Sequence, residues 1–126
     1  MKLKNTLAMT LVTAFVGTAA LAGAVIQNGV SAKGQVLTNG DGMSLYIFDK
    51  DTPAVSNCYD DCAVKWPPVE ASNSARPQGA YGIVLRTDGS RQWTHNGMPL
   101  YTWFKDGAPG DITGDGVKGV WHLARP

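Results

Sequence analysis

The stretch GMSLYIFDKD, residues 42–51, returns as GMPLYTWFKD at residues 97–106. The likeness runs on beyond the two phrases. Aligning residues 42–66 with residues 97–121 needs no gap and gives eight identities in twenty-five positions: Gly42/Gly97, Met43/Met98, Leu45/Leu100, Tyr46/Tyr101, Lys50/Lys105, Asp51/Asp106, Asp60/Asp115 and Trp66/Trp121. At ordinary residue frequencies of roughly 5–8% each, chance supplies one or two. Phe48/Trp103 adds an aromatic matched to an aromatic. The chain is an internal duplication, and recognising the period first guards against misreading the fold. A unit this short is marginal alone, so the two units are expected to share one core.

Within each copy the period of two sorts the side chains. Met43, Leu45 and Ile47 face one way and Tyr46 and Phe48 the other; Met98, Leu100 and Thr102 oppose Tyr101 and Trp103. A strand apolar on both faces is buried on both, or covers a partner with one of them. Around these strands, Gly, Asn-Gly, Asp-Gly and Pro recur every eight to twelve residues, and no long stretch has helical periodicity. That is the pattern of short antiparallel strands. Residues 35–38 and 43–48 read as a hairpin about Asn39-Gly40-Asp41-Gly42, and residues 83–86 and 91–94 as another about Thr87-Asp88-Gly89-Ser90. A third turn at His95-Asn96-Gly97 leads into residues 98–104. One or two helical turns are expected near residues 59–64, and residues 67–79, rich in Pro, Ser, Asn and Ala, read as a connector. The expected fold is all-β: two tandem repeats of short antiparallel strands, about residues 35–71 and 80–126, forming one small domain with little helix.

The start of the chain reads as an address. Lys2 and Lys4 precede an apolar run from Leu7 to about Ile26, and Val30-Ser31-Ala32 supplies the small residues a signal peptidase reads. Residues 1–32 are expected to be a signal peptide, leaving residues 33–126 as the domain, without a stable membrane anchor. The run is close to spanning length, so a retained anchor is the alternative. The leader contains no Cys and hence no acylation site. Removal of Lys2 and Lys4 takes the net charge from +1 to −1. Without a basic face there is no footprint for nucleic acid.

Tyr46-Ile47-Phe48-Asp49-Lys50-Asp51 and Tyr101-Thr102-Trp103-Phe104-Lys105-Asp106 both fit Tyr-x-aromatic-x-x-Asp. Together with Cys58-x3-Cys62 and Trp66-Pro67-Pro68, the motif resembles the bacterial secreted-repeat family, predicted lipoproteins with a Yx(FWY)xxD motif. The resemblance covers most of residues 33–126. It implies an exported protein of tandem repeats and brings no biochemical activity with it. Many members look like lipoproteins, whereas this leader lacks the cysteine for anchoring; a soluble periplasmic or secreted protein is expected.

The motif admits two accounts. In one, Tyr46, Phe48, Tyr101 and Trp103 pack in the core while Asp51 and Asp106 accept backbone N–H groups in the turn after the strand. In the other, Tyr46/Phe48/Asp51 and Tyr101/Trp103/Asp106 form two equivalent binding surfaces, aromatic with an acidic rim, for an envelope protein or a small ligand. The first account is the better supported, because aromatics dominate small cores.

Cys58 and Cys62 are spaced to meet across one helical turn, and in an exported chain a disulfide is their default. So small a loop contributes about 2 kcal/mol. The second unit has Thr113 and Val117 instead, so the bridge is a local staple. Copper is the alternative: two thiolates with His95 or His122, assisted by Met43 or Met98, have the right softness. Neither His is near the cysteines in sequence. A thiol redox role is weaker still, since Cys-x2-Cys at a helix start is the usual arrangement. The Gly- and Asp-rich residues 106–116 lack the spacing of a calcium loop. No nucleophile elbow or phosphate loop is present, and the one Glu, Glu70, lies in the connector. No catalytic residue and no cofactor is expected. The reading is an exported, non-catalytic envelope protein, a binding or structural module, with a periplasmic copper or thiol redox protein as the alternative.

Overall fold

Leu45 and Tyr46 are chain neighbours, and on an extended backbone they must point to opposite faces. Both are fully buried, so the duplicated strand is covered on both sides and divides the interior into two cores. Leu45 and Leu100 lie in one with Ile26, Leu37, Val69, Ala71, Trp93 and Ala124. Tyr46 and Tyr101 lie in the other with Val36, Phe48, Cys58, Trp66, Trp121 and Leu123. The alternation read from the sequence is the alternation observed.

The computed structural model describes residues 26–126. Among them are strands β1 (Ile26–Ser31), β2 (Gly34–Asn39), β3 (Tyr46–Phe48), β4 (Tyr81–Leu85), β5 (Arg91–His95), β6 (Met98–Pro99) and β7 (Trp121–Leu123), with a helix α1 (Asp61–Lys65) and a 3₁₀ turn (Val117–Gly119). The pairs are β1–β2, β3–β7 and β4–β5–β6, all antiparallel. The hairpin about residues 87–90 forms as expected, with Leu85 opposite Arg91. The hairpin about residues 39–42 is shorter than expected. Leu45 N–H still donates to Leu37 and Asn39 N–H to Met43, but from Tyr46 onward the strand leaves β2 and pairs with β7.

The units are not side by side but interlocked. Leu45 N–H donates to Leu37, Leu37 N–H to Ala124 and Ala124 N–H to Leu45, a closed ring of three backbone bonds. The second ring is its copy: Leu100 N–H to Trp93, Trp93 N–H to Val69 and Val69 N–H to Leu100. Each ring takes its third member from the end of the other unit. Residues 68–71, read from sequence as the start of a connector, therefore form an inner segment: Ala71 N–H donates to Arg91, and Val69 and Ala71 are buried. Pro67 and Pro68 disguise it, since neither offers an N–H to a ladder. Between the rings Tyr46 and Tyr101 exchange both backbone bonds, at 2.8 and 3.0 Å.

Of the expected leader, residues 1–25 lie outside the described residues, while residues 26–31 are β1. That strand pairs along its whole length with β2, and Ile26 packs in the core. Cleavage after Ala32 would remove all of it. Among the described residues no helix is long and apolar enough to cross a membrane.

Candidate functional site

The Tyr-x-aromatic-x-x-Asp motif is spent on joining the repeats. Tyr46 Oη donates to Asp106 Oδ2 and Tyr101 Oη donates to Asp51 Oδ2, both at 2.7 Å. The other oxygen of each carboxylate accepts a backbone N–H in the following loop, from Asn57 at 2.7 Å and from Thr113 at 3.0 Å. This is the capping role expected of the aspartates, with a cross-repeat bond that the sequence did not reveal. Tyr46, Tyr101, Asp51 and Asp106 are all buried, so none of them offers a binding face. Burial first, and the aspartate bond besides, pushes both tyrosine hydroxyls far above their ordinary pKa; in Tyr101 a bond from Ser56 partly offsets this. Burial likewise raises Asp51 above the ordinary carboxylate value, against the bonds from Tyr101 and Asn57 and the nearby Arg86 charge.

The aromatic positions of the motif serve a different purpose. Trp66 and Trp121, the repeated tryptophans, lie face to face, 3.7 Å between centroids and 3° from parallel. Phe48 stacks on the outer face of Trp121 at 4.2 Å, and Trp103 on that of Trp66 at 4.0 Å. Tyr46 meets Trp66, and Tyr101 meets Trp121, edge to face. The four-ring stack thus repeats the duplication about its own middle. Gly114 makes room for it, because a Cβ there would stand 2.9 Å from both Trp103 and Trp66 and 3.0 Å from Tyr46.

A cleft of about 370 Å³ opens over this stack. Its floor is Phe48, Trp66, Trp103 and Trp121, and its walls come from helix α1 and the 3₁₀ turn, which occupy equivalent places in the two repeats. Cys62 and Val117, matched in the alignment, both line it, and Lys50, Lys65, Lys118 and Asp61 supply its charged lining residues. Lys118 has a left-handed backbone, φ 53°, a conformation uncommon outside Gly, Asn and Asp. The ion pairs among the described residues are Lys33–Asp115 and His122–Asp49, and the three rim lysines take part in neither.

The model for a secreted repeat of unknown function matches residues 29–70 and again residues 82–125. The chain belongs to this secreted-repeat family. No curated protein and no solved structure matches it. In this secreted repeat the two matched segments correspond to the two interlocked units, and the cleft takes its floor from both.

Cys58 and Cys62 of the secreted repeat are bonded to each other, so neither offers a thiolate. His122 Nε2 lies 2.8 Å from Asp49 Oδ2, and the His95 ring packs against Tyr81. The four residues weighed as copper ligands are not brought together: among the described residues no three or more His, Cys, Asp or Glu side chains are placed to hold a metal ion. The acidic residues of 106–116 are all engaged in bonds within the protein, Asp106 with Tyr46 and Thr113 among them. Asp111 accepts Gly107 N–H and Ala108 N–H, and Asp115 accepts Lys33 and Leu123 N–H.

One buried group had no signal in the sequence. Arg86, 3% exposed, donates to Ser56, Gln92 and the carbonyl of Cys58, and its guanidinium lies 4.3 Å from the Tyr59 ring centre. Since the one Tyr101 proton goes to Asp51, Ser56 must donate to Tyr101 over 2.6 Å. The result is a directed chain, Arg86 to Ser56 to Tyr101 to Asp51, joining a buried cation to a buried carboxylate through two hydroxyls. Of the cleft residues, Phe48 and Trp103 are motif positions; Trp66 and Trp121 were marked by their repetition, whereas the rim lysines carry no pattern that singles them out.

Proposed function

We propose that this secreted protein is a non-catalytic ligand-binding module, and that its ligand seat is the cleft over the Trp66–Trp121 stack. One observation carries the reading: the duplicated aromatics build an apolar cleft of about 370 Å³, within the size range of small-molecule sites, while the duplicated Tyr–Asp pairs are buried in structural bonds. The carboxylates that would be the first choice as acid or base are therefore committed elsewhere. An exported location, periplasmic or released, matches this reading, and the family's description as secreted supports export.

Titration with a neutral aromatic amide, naphthalene-2-carboxamide, followed by the indole N–H resonances, tests this. The signals of Trp66, Trp103 and Trp121 are expected to move and saturate, while Trp93, in the other core, stays still. Four unmoved signals, or four moving alike, would overturn the cleft as the seat.

A further inference from the structure

We propose that the ligand of this cleft is a planar aromatic or conjugated anion, of the class of aromatic carboxylates and sulfonates. The inference rests on the cleft being a binding seat and adds the charge and shape of what fills it.

Shape follows from the stack. Trp121 is covered on one face by Phe48 and on the other by Trp66, and Trp66 by Trp121 and Trp103. These two middle rings, covered on both faces, can show a ligand only their edges, whereas Phe48 and Trp103 at the ends of the stack are each stacked on one face. Ring edges carry the positive end of the aromatic quadrupole and accept the electron-rich face of another ring laid across them. The middle of the floor, where Trp66 and Trp121 show their edges, thus favours a flat π system presented face down over a cation.

Charge follows from the rim. Lys50, Lys65 and Lys118 stand against one acid, Asp61. Lys33 pairs with Asp115 at 2.8 Å, whereas these three have no ion-pair partner among the described residues. They come from the loop after β3, the end of α1 and the 3₁₀ turn, so three separate segments converge on one opening. Lys118 is held there by a left-handed backbone, and such outliers persist where surrounding structure over-determines them. An anionic substituent at the mouth would meet the ammonium groups while its ring lies on the floor. Aspartate at position 61 sets a preference for one anionic group at the lysine side rather than for anions all round.

The probes are isosteric: 2-naphthoate, naphthalene-2-carboxamide and 2-naphthylmethylammonium, titrated by calorimetry and indole N–H shifts. The expected order is naphthoate tightest, at least about tenfold tighter than the amide at low salt, with the ammonium weakest. Rising ionic strength should narrow the gap, as for any exposed charge. In the K50Q/K118Q protein the ratio of naphthoate to amide affinity should shrink severalfold. Equal binding of naphthoate and amide, or an unchanged naphthoate advantage in K50Q/K118Q, overturns the anion inference and leaves the cleft standing as a seat. Failure of all three probes to move Trp66, Trp103 and Trp121 overturns the cleft itself, and the anion inference with it.

Discussion

Tyr101 and Asp51, fifty residues apart and in different repeats, share a buried hydrogen bond of 2.7 Å, and its copy joins Tyr46 to Asp106. A motif that looks like a short-range signature is completed only at long range.

Tyr101→Phe leaves Asp51 without its hydroxyl donor inside the protein. A buried acceptor that loses its partner costs about 1–3 kcal/mol, and Tyr46→Phe should cost a similar amount through Asp106. Both losses should appear as lower urea midpoints at unchanged slope. Asp51→Asn and Asp106→Asn should lower the melting temperature while leaving binding at the cleft intact in the folded protein. Unchanged stability in all four variants would refute the structural role of the motif.

Arg86→Met removes the head of the chain that ends on Asp51. Removing one member of a buried charged network costs about 3–5 kcal/mol, and here the Cys58 carbonyl, Ser56 and Gln92 lose a donor together. A loss well under 1 kcal/mol by chemical denaturation would show that the network is not held in solution.

Alkali should unfold the protein through its two central tyrosines. Their pKa values are raised in the fold above the ordinary 10.0, so the native state keeps protons that the unfolded chain gives up. Stability is full below about pH 10 and is lost as pH rises toward the folded values. Two of the four tyrosines should thus stay silent in a phenolate absorbance titration until unfolding. Asp51 acts with the same sign at the acid end. Its folded pKa lies above 3.8, so its contribution is greatest below that pH and declines as pH climbs through the raised value. Asp51→Asn should make the slope of stability against pH more positive across the carboxylate range. A more negative slope would contradict this assignment.

Export processing should spare β1. A chain beginning at Lys33 loses Ile26 from the core and the strand β1 that pairs along one edge of β2, and full burial of an Ile side chain is worth about 1.5–3 kcal/mol. That chain should be less stable than one beginning at Ala24 by about this amount. N-terminal sequencing of exported protein is expected to read through Ile26. A mature terminus at Lys33 with undiminished stability would show β1 to be dispensable.

Much of this was legible in the residues around the duplication. Leu45 and Tyr46 face different cores because an extended backbone leaves no choice, whatever the strand pairs with. The loop bonds of Asp51 and Asp106 are local and follow from turn chemistry. Partner choice was not legible. Nothing near Val69 says that it closes a ring with Trp93 and Leu100, and Pro67 and Pro68 argue locally against a strand. The site followed the same division: Phe48 and Trp103 were marked by the motif, whereas the cleft exists because Trp66 and Trp121 meet across 55 residues of chain. Arg86 stood in no motif, and its burial depends on Ser56 and Cys58, 30 and 28 residues away, as well as on Gln92 in its own hairpin.

The crossed rings of backbone bonds make the duplication a fused dimer. A solitary unit would hold a tyrosine without its carboxylate, a carboxylate without its tyrosine, and a strand whose third neighbour is missing; only a second unit supplies all three. Joining the units in one chain replaces association at cellular concentration by encounter at the millimolar effective concentration a short tether provides. The link between the units is exposed at residues 72–74 and is held to the second unit by Arg91, which donates to the Ser72 and Ala75 carbonyls; a single cut at its exposed residues should leave two fragments that remain clasped until denatured.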